Sequence, residues 1–255
     1  MLTAVTRAIS PALANCELSF IARSTIDIEK AQLQHGEYEE LLRKLGARVI
    51  SLPAEPALPD SMFVEDPALV LDELAVVFPL GTESRRPEAE SIAKALSDHR
   101  KLEFVALPAT VEGGDILRIG RTLFVGRTLR TNAEGIGELT RIVKPHGYHV
   151  VAVEVKGCLH LKSAVTYLGR NTVLANRAWF DNGPLATFEC IDVDSGEPHS
   201  ANGLAIGDTI IFPASFPETR KRLEKHGFQV TTIDISELQK AESGLTCSSL
   251  LFEAP

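Results

Sequence analysis

The sequence predicts an α/β fold, a closed ring of strand–strand–helix–strand modules of about 40–50 residues each. The main observation is a recurring unit in which an amphipathic helix runs into a glycine and then a strand. It appears as EYEELLRKLGARVISL (37–52), GIGELTRIVKPHGYHVVAVEV (135–155) and ETRKRLEKHGFQVTTIDI (218–235). A second observation is that strand pairs precede such units. The third is that the landmarks Gly46, Gly147 and Gly227 are unequally spaced, whereas an open solenoid keeps a constant period. A plain three-layer α/β domain is the alternative these patterns leave open.

The elements follow from local chemistry. Apolar residues three and four apart give each helix one buried face, and the glycine ends it in the left-handed conformation. ArgValIle, HisValVal and GlnValThr then begin strands after Gly46, Gly147 and Gly227. PEAESIAKALSDHRKLEFVAL (87–107) is a weaker fourth copy without the glycine. GRTLFVG (120–126) and GDTIIFP (207–213) read as a polar turn feeding a strand. MFVEDPALVLDELAVVFP (62–79) and AVTYLGRNTVLA (164–175) read as hairpins, with turns near Asp72-Glu73 and Gly169-Arg170-Asn171.

The 255 residues are 44% hydrophobic and 24% charged, enough to build a core. No Pro-, Gly- or Ser-rich linker divides them, so residues 1–255 are expected to form one domain. The formal net charge of −8 argues against a nucleic-acid or anionic-membrane binder, which needs a basic face. It leaves a small cationic ligand open. No apolar run reaches the length of a signal peptide or a membrane span. Cys16, Cys158, Cys190 and Cys247 are far apart and form no CxxC, which fits neither a disulfide framework nor a zinc ribbon. The expected location is the cytoplasm.

Four clusters bear chemistry. PDSMFVEDPALV places Asp60, Glu65 and Asp66 together after a strand-like MetPheVal; such carboxylates suit the planar N–H fork of a guanidinium. VEGGDIL sets Glu112 and Asp115 around Gly113-Gly114, a tight turn or a close backbone approach. CLHLKSAVTYL, read as a strand, turns His160 away from Leu159 and Leu161. KAESGLTCSSLLFE surrounds Cys247 with small polar residues, unlike the bulky setting of a structural thiol. Taken singly, these are also what solvated loop charges, a plain turn, a structural histidine and a buried cysteine look like.

In order, FVED, VEGGD, HLKS and GLTC, with GTESRR (81–86) and RTNAEG (130–135), resemble the dimethylarginine dimethylaminohydrolase (dimethylargininase) family of the guanidine-modifying pentein superfamily. The resemblance runs from Arg7 to Phe252. It implies a five-bladed α/β propeller, a ring of about five ββαβ modules around a central site. It also implies Cys247 as nucleophile, His160 as general acid and base, and Glu112 as the acid supporting His160. Asp66 would hold the substrate guanidinium, with Glu65 beside it and Asp60 in the same loop. Arg85 and Arg130 would bind the substrate carboxylate. The backbones of Leu18, in a lid, and of Ala241 would meet the substrate amino group. The implied reaction is hydrolysis of dimethyl- or monomethylarginine to citrulline and an amine, with no cofactor or metal. Zinc would enter only as an inhibitor at Cys247 and His160. A homodimer is compatible with apolar faces on the outer helices.

Two departures bear on this reading. Ser243 stands where relatives commonly have glycine, so strain is expected there if the position needs a positive φ. Lys162 stands two residues after His160, where arginine deiminases, the nearest alternative, typically carry Asp. A dimethylated nitrogen has no N–H to offer a carboxylate at that point, and an unpaired buried carboxylate is costly. A ribosome-binding protein of the same fold without catalytic residues is the non-enzymatic alternative.

Overall fold

The computed structural model describes residues 1–254. Strand β1 (Leu2–Arg7) crosses through helix α1 (Ile28–Lys44) to β2 (Arg48–Leu52). A hairpin of β3 (Ala68–Val70) and β4 (Leu74–Val77) is followed by α2 (Glu88–Leu96) and β5 (Lys101–Phe104). The pattern repeats with β6 (Ile116–Ile119), β7 (Thr122–Arg127), α3 (Ala133–Val143) and β8 (His149–Glu154). The fourth module has a one-turn helix α4 (Leu161–Ala164), then β9 (Val165–Gly169), β10 (Thr172–Ala175) and β11 (Glu189–Asp192). The fifth has β12 (Leu204–Ile206), β13 (Thr209–Pro213), α5 (Pro217–Lys225) and β14 (Gln229–Ile233). A short α6 (Ser236–Gln239) leads towards the last strand, β15 (Leu250–Glu253).

Among the described residues these strands form five three-stranded sheets. In each, the middle strand is antiparallel to one neighbour and parallel to the other. The first sheet takes its inner strand from the other end of the chain: β15 pairs with β1 from Leu2↔Glu253 to Val5↔Leu250.

Packing closes the ring. Each middle strand is apolar on both faces, and successive residues feed different cores. Leu123 and Val125 enter one cluster while Phe124 enters the next; Ala4 and Val5 divide in the same way. The five clusters each lie at a junction between neighbouring modules, including one that joins the fifth module to the first through Leu204, Ile211 and Ile233 against Ala4, Tyr38 and Leu42. Each fully buried aliphatic side chain contributes about 1.5–3 kcal/mol, so each blade draws much of its stability from the cores it shares with its neighbours.

The expected helix ends are present. Gly46, Gly147 and Gly227 have φ of 90°, 78° and 79°. In each case the next N–H reaches back to the helix: Ala47 to Leu42 O, Tyr148 to Val143 O, Phe228 to Leu223 O. Arg170 and Asn171 turn the β9–β10 hairpin at φ 52° and 57°.

Three local readings are corrected. The fourth module has no long crossover helix; a single 3₁₀ turn at Gly183–Leu185 fills that connection. MetPheVal is not a strand, because Phe63 N bonds Asp60 O and Asp66 N bonds Phe63 O, folding 60–66 into successive turns. His160 is not in a strand; it is the residue before α4, in an extended conformation.

Candidate active site

The ring topology brings the chemistry together. Each inner strand (β3, β6, β9, β12, β15) is entered from the centre of the ring, and each is preceded by a polar residue: Asp66, Asp115, His160, Asn202 and Cys247. Three of them, Asp66, His160 and Cys247, line one narrow pocket together with Arg85 and Arg130, with room of about 20 Å³.

The best-defined contact is His160 Nε2 to Glu112 Oε2, 2.7 Å, both residues buried. Glu112 Oε1 also accepts from Gly81 N at 3.1 Å and Arg130 at 3.4 Å. Burial alone would lower the imidazole pKa, but Asp66, Asp115 and Glu112 outweigh it and hold His160 up to about 9. Glu112 is correspondingly held well below the usual carboxylate range, despite burial, by His160, Arg85 and Arg130. With Nε2 engaged by Glu112, Nδ1 is the nitrogen free to exchange protons with a substrate.

The two glycines of VEGGD are required by close approach. A Cβ on Gly113 would lie 2.0 Å from Glu65 O, and one on Gly114 would lie 2.5 Å from His160 Nδ1. Gly114 N donates to Asp66 Oδ1 at 3.1 Å. Asp66 Oδ2 accepts from Arg85 at 2.9 Å. Arg85 also forks onto Glu88, at 3.1 and 2.9 Å, so three of its five N–H donors are engaged. The expected acidic and basic ends of the pocket therefore touch through Asp66 and Arg85.

Glu65 departs from the expected side-by-side pair. Its carboxylate is held by Lys162 Nζ and by the Thr246 hydroxyl, which donates at 2.9 Å. Glu65 and both partners line a second cavity along the inner strands, and none of the three lines the pocket. Asp60 accepts the Glu17 N–H through both oxygens, at 3.2 and 3.1 Å, and so anchors the start of the segment that carries Leu18. Leu18 follows Glu17 and is half-buried against the first-module core. Ala241 is buried and lines the pocket.

Cys247 lies in a 3₁₀ turn, Thr246–Ser248. Burial, with the Glu65 and Asp66 carboxylates, pushes its thiol up to about 12; the Gly244 N–H and Lys162 act the other way. The thiol is thus protonated at neutral pH until positive charge arrives beside it. Asp66, Glu112 and His160 offer ligand atoms within 4.8 Å of one another, so a divalent ion has a foothold at His160, although these same atoms are already bonded to Arg85, Gly114 and each other.

Several residues have roles that the sequence does not assign, although Asp115 stands out beside Gly113-Gly114. Asp115 accepts from Thr128 and Thr131, each at 2.7 Å, and from Leu161 N at 2.9 Å, fixing the start of α4 next to His160. Glu88 is the counter-ion of Arg85. Glu242 accepts from the N–H groups of Ser19 and Phe20, at 2.8 and 2.9 Å, clamping the segment that follows Leu18. It also carries the positive φ, 59°, so the strain expected at Ser243 lies one residue earlier. The signal for Asn202 was its position, two residues before an apolar strand, as Asp66 is.

A fivefold ring with a central cysteine, a histidine–glutamate pair and a buried aspartate–arginine pair defines the guanidine-modifying, or pentein, class. A family model described as arginine deiminase matches residues 54–202. N(G),N(G)-dimethylarginine dimethylaminohydrolase of Pseudomonas aeruginosa is 35% identical over 228 residues, 89% of this chain and 90% of the relative. The Streptomyces coelicolor protein of the same name is 35% identical over 249 residues, 97% of this chain and 95% of the relative. A solved structure of the Pseudomonas aeruginosa enzyme, a cysteine-to-serine mutant complexed with citrulline, superposes with a TM-score of 0.94 at 32% identity, covering 99% of this chain and 100% of that one. The chain belongs to the dimethylarginine dimethylaminohydrolase family.

Proposed function

We propose that this protein hydrolyses Nω,Nω-dimethyl-L-arginine, and Nω-methyl-L-arginine, to L-citrulline and dimethylamine or methylamine. The observation that carries the reading is the buried 2.7 Å His160–Glu112 pair in one pocket with Cys247 and Asp66. Charge supports it. Glu17, Asp60, Asp66 and Glu242 line the pocket with Arg85, Arg130 and His160, and Glu112 pairs with His160, a set of carboxylates suited to a cationic substrate.

The guanidinium carbon is a poor electrophile because its charge is spread over three nitrogens. Asp66 holds the guanidinium in its charged form, and that charge lowers the thiol pKa so that Cys247 becomes thiolate as the substrate settles, its proton passing to water. The thiolate attacks the central carbon. His160, as imidazolium, protonates the departing amine, the C–N bond breaks, and an S-alkylthiouronium remains on Cys247. Neutral His160 then takes a proton from water, which attacks the same carbon. The new hydroxyl gives its proton to solvent as the C–S bond breaks, releasing citrulline and the thiolate. Arg85 and Arg130 serve the substrate carboxylate. Leu18 and Ala241 serve its amino group through their backbones, and Asp60 and Glu65 shape the surrounding loop.

The chemistry uses side chains and water alone, and zinc captured at Cys247 and His160 would inhibit it. Ring closure of β15 on β1 supports one catalytic unit across residues 1–255. No helix among the described residues is long and apolar enough to cross a membrane. The four free cysteines fit a cytoplasmic enzyme in a reducing compartment.

The family model names arginine deiminase as a second reading, and Lys162, ion-paired to Glu65, disfavours it. Product analysis tests both. Dimethylamine and citrulline from dimethylarginine are expected; ammonia and citrulline from arginine, with dimethylarginine untouched, would overturn the proposal.

A further inference from the structure

Asn202 lies at the tip of the loop entering β12 and belongs to none of the groups that would touch the substrate. Its carboxamide is fully used. Oδ1 accepts from Thr246 N at 3.1 Å. Nδ2 donates to Lys162 O at 3.0 Å and to Thr246 Oγ1 at 3.1 Å. Thr246 Oγ1 in turn donates to Glu65 at 2.9 Å. The amide orientation is fixed by these partners, since a flipped group would face N–H with N–H and carbonyl with carbonyl. Lys162 follows His160 by two residues, and Thr246 immediately precedes Cys247. One side chain therefore ties the segment carrying the acid–base residue to the turn carrying the thiol. The same carboxamide packs on Gly244, where an added Cβ would lie 2.4 Å from Asn202 Cγ.

We propose that Asn202 is a positioning residue for catalysis: it sets the nucleophile turn against the His160 segment through its bonds to Thr246 and Lys162 and packs on Gly244, three residues before Cys247. Thr246 adjoins Cys247, so loosening its bonds to Asn202 misplaces the sulfur against the substrate carbon and His160, an effect on the reaction rather than on substrate capture. The inference rests on Cys247 being the nucleophile.

The test compares wild type with Asn202→Asp and Asn202→Ala. Asp is nearly isosteric and keeps the acceptor for Thr246 N, but it loses both donated bonds and adds negative charge near the thiol. Steady-state kinetics with dimethylarginine should show kcat reduced about ten- to a hundredfold, as expected for a misplaced reacting group, with KM within about threefold. Alkylation of Cys247 by iodoacetamide should move to higher pH, by about one unit in Asn202→Asp. Rates are expressed per titrated thiol and thermal melting is followed in parallel, so loss of folded protein is not mistaken for loss of positioning. An unchanged kcat and alkylation profile in folded Asn202→Ala would overturn the proposal, as would an effect confined to KM. If wild type released no amine from dimethylarginine, the proposed function would fall, while the alkylation profiles would still decide the role of Asn202.

Discussion

Glu112→Gln isolates the charge of the carboxylate from its shape. Glu112 Oε2 sits 2.7 Å from His160 Nε2, which places the charge centres about 4 Å apart and makes the ion pair worth about 4 kcal/mol at an effective dielectric near 20. That corresponds to about three pK units, so the imidazole should fall from about 9 to roughly 6. Neither amide orientation rescues it. With the amide oxygen towards His160, the new NH₂ faces Gly81 N and Arg130, which now donate to Glu112. With the NH₂ towards His160, the imidazole must accept and stay neutral. At pH 7.5 about 3% of the imidazole would be protonated instead of about 97%, a loss of about thirtyfold in kcat. The assay is kcat against pH from 5 to 10. Its alkaline limb should move from near 9 to near 6, and the variant should recover part of its rate in acid. A limb that stays near 9 would refute the assignment of His160 as general acid governed by Glu112. A change in KM alone would show that Glu112 acts only through Arg130.

Other outcomes follow from the same geometry. Glu242→Ala removes two charge-assisted bonds from the segment that follows Leu18; KM should rise about tenfold with a smaller change in kcat, and limited proteolysis within residues 16–23 should accelerate. His160 has a folded pKa of about 9 against 6.5 unfolded. The stability it contributes, about 3 kcal/mol, is therefore fully present below pH 6.5 and lost as pH rises through 9. The difference in urea midpoint between wild type and His160→Gln should shrink across that window. Lys162→Met leaves the Glu65 carboxylate buried beside Thr246 without its cation, which should destabilise the protein by about 3–5 kcal/mol. Adding Glu65→Gln should restore much of the melting temperature.

The parts legible in the sequence were those decided locally. The glycine after each helix is readable because a left-handed residue ends a helix whatever lies around it, and Gly46, Gly147 and Gly227 adopt that conformation. Cys247, His160, Glu112 and Asp66 were recognisable through the order of their motifs. The side of the ring to which adjacent carboxylates turn was not. Glu65 and Asp66 follow one another in a run of turns, and Glu65 is drawn to Lys162 and Thr246 by residues about 100 and 180 positions away in sequence. The role of Asn202 was hidden for the same reason: its partners Lys162 and Thr246 lie 40 and 44 positions away in sequence, and its place before an apolar strand shows neither. The closeness of Gly113 to Glu65 O likewise belongs to the assembled ring, although a Gly-Gly pair already hints at such an approach.

The seat of Cys247, the proposed nucleophile, has a structural cause. Cys247 lies three residues before β15, and β15 is the inner strand of the first sheet, paired with β1. The blade is therefore built from both ends of the chain, and Leu250 and Phe252 of β15 complete a core whose other members come from β1, β3, β4 and α2. Asp66, Asp115, His160 and Asn202 can be set in place by successive local modules, but the thiol arrives only when the two ends of the chain meet. Such a contact is among the most non-local the chain can make, and non-local pairings are entropically costly to close. Once closed, the turn at Cys247 is held from three sides: Tyr38 of α1 bonds Leu245 O and Ser249, Asn202 bonds Thr246, and Glu65 N bonds Cys247 O. A change that opens the β1–β15 seam should therefore abolish catalysis before it unfolds the remaining blades, because it removes the nucleophile's seat while leaving the three middle junctions intact.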